Sequence, residues 1–255
     1  MNSLILVERN KGVVTLRINR PQNYNALNKA VVDSLDEILE SLRRDTSVRA
    51  LIVTGERNFA AGADIADMVK LTPQAAGAFL FAKTFDKLEA LPIPTIAAIC
   101  GYALGGGLEL ALACDIRIAA EDAQLGLPEI NLGIMPGAGG TVRLPKLIGV
   151  GKAKELILTG RKITGAEGYQ MGLVQQVVSS AELLPTAHAL AENLAGKAAT
   201  ALQTAKAMLH FSATQPRDAA LQMEAALWAG LFGTADQQEG MQAFIEKRKP
   251  EFNEH

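Results

Sequence analysis

At 255 residues, with 49% hydrophobic and 20% charged residues, the chain can bury a substantial core and is too apolar to be read as disordered. Its 25 basic and 27 acidic residues give a formal charge of -2, so no whole-protein field draws it to nucleic acid or anionic lipid. Two cysteines, Cys100 and Cys114, exclude a disulfide framework and suit a reducing, cytoplasmic setting, and the scattered His188, His210 and His255 lack metal-ligand spacing, so no metal is expected.

Met1 to Arg9 reads as a first strand rather than a secretory leader, because it has neither a basic start nor a small-residue cleavage site. Val13 to Ile18 alternates as a strand. Asn28 then makes an N-cap for an amphipathic helix whose apolar face carries Val31, Val32, Leu35, Ile38, Leu39 and Leu42. Ala50 to Val53 is a buried strand, a loop runs from Gly55 to Ala66, and a helical stretch carries Phe79, Leu80, Phe81, Phe85 and Leu88. Thr95 to Ile99 is the next strand, and the triplet Gly105-Gly106-Gly107 opens a helix through Leu112. The longest uncharged run, between Glu89 and Glu109, is broken by Pro92, Pro94 and these glycines, which argues against a membrane helix.

Alternation of strand and helix selects an α/β class with mostly parallel pairing. After about Leu183 only helical patterns remain, at Leu184 to Leu194, Ala201 to Phe211, Ala219 to Phe232 and Gln237 to Arg248. Their apolar faces, including Trp228, Leu231 and Phe232, exceed what a short tail needs for itself. They are expected to pack on the main domain and on neighbouring subunits.

The glycine-rich segments invite a nucleotide reading, which fails. Gly101 to Gly107 lacks the spaced dinucleotide fingerprint, Pro136 to Thr141 lacks a phosphate-loop lysine, and Gly149-Val-Gly151-Lys152 lacks the following Ser or Thr. Such backbone fits close approach to a ligand better, with free amides pointing outward where a helix begins near Gly106. Phe59 to Ile65 has the same small-residue quality. Taken alone, either loop has the ordinary explanation of a tight turn.

Two carboxylates add to this. Glu109 falls among Leu108, Leu110 and Leu112 in the first turn of the glycine-opened helix, and Glu129 follows Pro128 in apolar company. Each has a bland reading, as a helix-start acid and a surface loop acid. Buried near one another, they would instead push their titrations apart, as acid/base chemistry requires.

At this point the sequence closely resembles the crotonase, or enoyl-CoA hydratase/isomerase, family. The matching segments are Asn25 to Asn28, Phe59 to Ile65, Gly101 to Ala111, Gly126 to Glu129, Gly133 to Thr141 and Ala243 to Arg248, in family order over nearly the whole chain. The resemblance implies a spiral of β-β-α turns over residues 1–190 that binds the acyl-CoA. It also implies a helical region, residues 191–255, that builds homotrimers commonly paired into homohexamers. Its substrate is an acyl-CoA thioester, with no separate cofactor.

By the same resemblance, backbone amides of Ala63 and Gly106 hold the thioester oxygen. Glu109 and Glu129 are the hydratase pair, Glu109 helping to activate water for attack at C3 and Glu129 exchanging a proton with C2. Substrate contacts are expected from Ala26, Ala61, Ala63, Asp64, Ile65, Met68, Gly106 and Pro128, with Leu71 and Phe79 to Phe81 completing an acyl wall. The implied activity is reversible syn addition of water to a 2-trans-enoyl-CoA, giving a 3-hydroxyacyl-CoA, as in fatty acid β-oxidation. Crotonyl-CoA-like substrates are expected and dehydroadipyl-CoA stays open. Cys100 and Val142 stand where many relatives carry Asn and Gln, a warning against copying a relative's substrate preference. The rival readings are an enoyl-CoA isomerase, which needs one glutamate only, and a non-catalytic RNA-binding module, for which no basic, aromatic-laced stripe is present.

Overall fold

In a computed structural model, which describes residues 3–78 and 81–252, the chain opens with the hairpin β1 (Ile5–Asn10) and β2 (Val13–Ile18), followed by helix α1 (Lys29–Arg44). Strand β3 (Ala50–Gly55) leads to α2 (Ile65–Met68), α3 (Pro73–Ala78) and α4 (Ala82–Glu89). Strands β4 (Thr95–Ile99) and β5 (Tyr102–Leu104) precede α5 (Gly106–Leu112), and β6 (Ile116–Ala120) and β7 (Gln124–Gly126) precede α6 (Gly140–Ile148) and α7 (Val150–Thr159). After β8 (Ile163–Thr164), α8 (Gly165–Met171) and β9 (Gln176–Val178) come four helices, α9 (Leu183–Ala195), α10 (Ala199–Ser212), α11 (Arg217–Leu231) and α12 (Ala235–Glu246).

Six strands form one sheet in the order β1-β2-β3-β4-β6-β9, parallel except for the opening hairpin, and β5-β7-β8 form a second. Isolated bridges, Leu27 to Ala63 and Ala60 to Ala103, extend the second sheet. Each turn of the chain therefore visits the large sheet, then the small one, then a helix: β2, Leu27, α1; β3, Ala60, α2; β4, β5, α5; β6, β7, α6. This is the expected β-β-α spiral.

The large sheet is buried on both faces, which explains why its central strands are unbroken apolar runs rather than alternating ones. Val14, Leu16, Leu51, Val53, Ala97 and Ile99 face the main core under α1, α4 and α5. Val13, Ala50, Ile52, Ile96, Ala98 and Ile118 face α9, whose Ala187 and Ala191 are small enough for close approach. Helix α9 is continuous across residue 190, so the packing of the core on the sheet runs on into the helical tail. The α1 apolar stripe is buried as the sequence predicts, and Asn28 caps it by accepting from the Val31 amide at 3.0 Å.

The expected helical stretch is present as α4 over Phe85 and Leu88. Phe79 and Leu80 lie outside the described residues, as does His255. Among the described residues, no helix is long and apolar enough to cross a membrane.

The site is positioned by one close backbone crossing. Ala60 is stitched to β5 by its amide to Tyr102 O, 2.9 Å, and by its carbonyl, which accepts from Leu104 N, 3.1 Å. Gly107 then brings α5 so near that a Cβ there would stand 2.0 Å from Ala60 O. Because neither backbone can yield, Gly107→Ala should destabilise the protein by at least about 1–3 kcal/mol, the usual range for overpacking. Thermal unfolding checks this, and an unchanged Tm would contradict so tight a crossing.

Candidate active site

Where the small sheet ends, a cavity of about 350 Å3 opens, a size suited to the reactive part of a small ligand. Ala61 and Ala63 reach it from the loop after the Ala60 bridge, Ile65 and Met68 from α2, and Leu71 and Phe81 from the segments that follow. Gly106 and Glu109 enter from α5, and Pro128 and Glu129 from a 3-10 turn at Pro128–Leu132. The structure thus brings ten of the expected residues to one wall. Ala26 and Asp64 are not part of that wall: Arg20 ties them together, donating to Ala26 O at 2.6 Å and to Asp64 Oδ2 at 3.1 Å.

Two amides at the cavity are left over by their own secondary structure. In the bridge at Leu27, the bonds run from Leu27 N to Gly62 O and from Asp64 N to Leu27 O, which skips the N–H of Ala63. Gly106 is the first residue of α5, where amides have no partner within the helix. The two come close, since a Cβ on Gly106 would lie 3.7 Å from Ala63 N. Gly105 makes the turn possible at φ 51°, and its missing side chain leaves room for Glu129, whose Oε1 would be 2.9 Å from a Cβ there.

The two glutamates differ in their hydrogen bonding. Glu109 is 3% exposed, and its Oε1 accepts from Ala138 N at 2.7 Å and Gly140 N at 2.8 Å. Burial dominates and raises its carboxyl above the ordinary value, the two amides and the charge of Arg143 offsetting only part of that. Glu129 is also buried, but its Oε2 finds no hydrogen-bond partner among the described residues. Burial, and then the nearby charge of Glu109, raise its carboxyl from the ordinary 4.5 to about 7. Burial thus raises both acids, and for Glu109 the two amides offset part of that rise.

The amides of Ala138 and Gly140 carry no signal of residue type, and the sequence reading treats Pro136 to Thr141 as backbone that approaches a ligand. The structure gives these amides to Glu109, so the anion they hold is the protein's own. Leu132, Ile134 and Met135, from the segment leading into that loop, complete the wall. Among the described residues, no group of three or more His, Cys, Asp or Glu side chains could hold a metal.

Comparison with known proteins bears directly on this arrangement. Residues 8–255 match the enoyl-CoA hydratase/isomerase family model. The chain belongs to this family. It is 43% identical over 252 residues to a crotonyl-CoA hydratase of Syntrophomonas wolfei, covering 97% of each chain. It is 42% identical over 255 residues to a short-chain-enoyl-CoA hydratase of Clostridium acetobutylicum, covering 98% of this chain and 97% of that one. The crystal structure of an enoyl-CoA hydratase from Bacillus anthracis superposes with a TM-score of 0.95 at 42% identity, over 98% of this chain and 99% of that one.

The environment of Glu129 has a consequence for stability. A carboxyl whose folded value lies above its unfolded value favours folding below pH 4.5, and that contribution is lost as pH rises to about 7. Glu129→Gln removes the ionisation, so it should stabilise the protein at pH 8 by up to about 3 kcal/mol and change little at pH 5. Thermal unfolding of both proteins at the two pH values measures the difference. A variant less stable than its parent at pH 8 would contradict the environment described for Glu129.

Proposed function

We propose that the chain is an enoyl-CoA hydratase, adding water reversibly and syn to a 2-trans-enoyl-CoA to give a 3-hydroxyacyl-CoA. The observation that carries this reading is the pair of buried glutamates on one cavity, Glu109 held by two amides and Glu129 with an unpartnered Oε2. Glu109, as the anion, takes a proton from water while the water oxygen bonds to C3. Glu129, as the acid, delivers a proton to C2. The electrons of the C2–C3 double bond pass toward the thioester carbonyl, whose oxygen becomes enolate-like and then returns to carbonyl as C2 is protonated.

The amides of Ala63 and Gly106 hold that oxygen, and each such donor contributes about 3–4 kcal/mol to transition-state stabilisation. A proton passed between the two carboxyl groups restores the starting state. Both water and the CoA moiety belong to the substrates, so the reaction as written needs no metal and no separate cofactor. Ala61, Ile65, Met68 and Pro128 form the apolar wall for the acyl chain. The names of the Syntrophomonas and Clostridium relatives, and the modest cavity, support short acyl chains and a place in fatty acid breakdown.

An isomerase moves one proton between carbons and needs no water, so a second buried carboxyl in a contrasting environment favours hydration. Glu109→Gln and Glu129→Gln should each lower kcat by roughly two to four decades with the fold retained. A spectrophotometric hydration assay across enoyl-CoA chain lengths, with circular dichroism as control, tests this. Near-normal hydration by either variant removes that glutamate from the mechanism.

We also infer assembly into homotrimers or homohexamers, in a reducing cytoplasmic setting that suits two free cysteines. Support comes from apolar side chains that this chain alone leaves uncovered: Leu209 is 71% exposed, Ile245 73% and Phe244 85%. A groove of about 820 Å3 between α5, α6 and α10 adds to that uncovered surface. Light scattering at micromolar concentration should return a mass near three or six chains, and an active monomer would contradict the assembly.

A further inference from the structure

Arg143 lies outside the expected site, on α6, yet its side chain is 9% exposed and every arm of its guanidinium is engaged. Nε donates to Glu89 Oε2 at 2.9 Å, and Nη2 donates to the same oxygen and to Asp86 Oδ1, both at 2.6 Å. Nη1 turns the other way and donates to Ala138 O at 3.0 Å. Ala138 is the residue whose amide donates to Glu109 Oε1. A single residue of backbone thus carries Glu109 on its N–H and Arg143 on its carbonyl.

The carbonyl of Gly139 accepts from the amides of Val142 at 3.0 Å and Arg143 at 2.7 Å. Gly139 stands at φ 105°, and a Cβ there would meet Arg143 Nη1 at 2.1 Å, so the guanidinium occupies the space that a side chain would take. The fork geometry of arginine is what allows one group to serve a carbonyl on one side and two carboxylates on the other. Asp86 and Glu89 come from α4, the helix that begins just past Phe81 on the cavity wall.

We propose that Arg143 is a positioning residue for the acid/base pair, holding the 138–140 amides against Glu109 through Ala138 and adding its own positive field. The proposal rests on reading Glu109 as the base that activates water. The charged groups concerned are Glu129 from the 3-10 turn, Arg143 from α6, and Asp86 and Glu89, which neutralise Arg143 from α4. Loss of the guanidinium removes a positive charge and loosens two amide donors. Each of these disfavours the Glu109 anion, so its titration moves to higher pH. Loss of Glu89 alone keeps the guanidinium and removes a neutralising charge, which moves the titration to lower pH.

The test follows the Glu109 carboxyl by NMR in protein carrying isotope-labelled glutamate, with the resonance assigned through Glu109→Gln, in wild type, Arg143→Gln and Glu89→Gln. The expected midpoint rises in the first variant and falls in the second. In hydration kinetics, Arg143→Gln should lower kcat about tenfold to a hundredfold, the cost of a small misplacement, with KM changed less than about threefold. An Arg143→Gln midpoint equal to that of wild type overturns the proposal, whatever happens to kcat, because a merely structural arginine would leave the titration in place. If Arg143→Gln does not fold, Glu89→Gln decides, and an unmoved or raised midpoint there overturns it equally. The titration needs no substrate. A wild-type protein that hydrates no enoyl-CoA would therefore sink the hydratase reading while leaving the coupling between Arg143 and Glu109 measurable.

Discussion

Placing two carboxyl groups out of water beside one small cavity is the constraint on which the rest of this structure depends. An isolated buried carboxylate is costly, and the usual escape is to bind a proton. Here the cost is divided unequally. Glu109 accepts two backbone amides, which can satisfy an anion without bringing a second net charge into the cavity. Glu129 is given no such partner on Oε2 and titrates near neutrality instead. Because each carboxyl raises the cost of ionising the other, the two titrations are coupled.

The backbone is shaped to permit this. Amides can converge on a side-chain oxygen only where no Cβ intervenes, and a Cβ on Gly140 would stand 3.0 Å from Glu109 Oε1. Gly105 leaves room for the Glu129 carboxyl, and Gly107 lets α5 press against Ala60 so that Glu109 projects from its first turn into the cavity. The spiral supplies these crossings in sequence. Each short strand of the second sheet ends where a helix begins, and the loops at those junctions furnish Ala61 and Ala63, Gly105 and Gly106, and Pro128 and Glu129.

What could be read beforehand was whatever side-chain type determines. The bounds of β2 and β4 follow from short runs of strand-forming residues between turn signals, the Asn28 cap from capping chemistry and the buried stripe of α1 from helical periodicity. Glu109 and Glu129 were visible because a charge in apolar company is conspicuous. The Ala138 and Gly140 donors were not, because every residue except proline offers an amide, and nothing in Ala-Gly-Gly says which acceptor it faces. Arg143 resembles any helix arginine until the fold brings α4 beside α6. Its partners Asp86 and Glu89 are more than fifty positions away.

The same asymmetry bears on which reaction the scaffold favours. A group that shuttles one proton between neighbouring carbons must be base and acid in turn, and its best environment is a compromise between anion and neutral form. Addition of water divides those duties between two groups acting in one event. Each can then be tuned toward one form, at the cost of holding a proton on Glu129 where its neighbour is charged. Burial raises both carboxyl groups, but two amides and an arginine behind Glu109 offset part of that, whereas Oε2 of Glu129 has no partner among the described residues. That difference between the two carboxyl groups, more than the presence of two glutamates in the chain, is the physical argument for hydration over isomerisation.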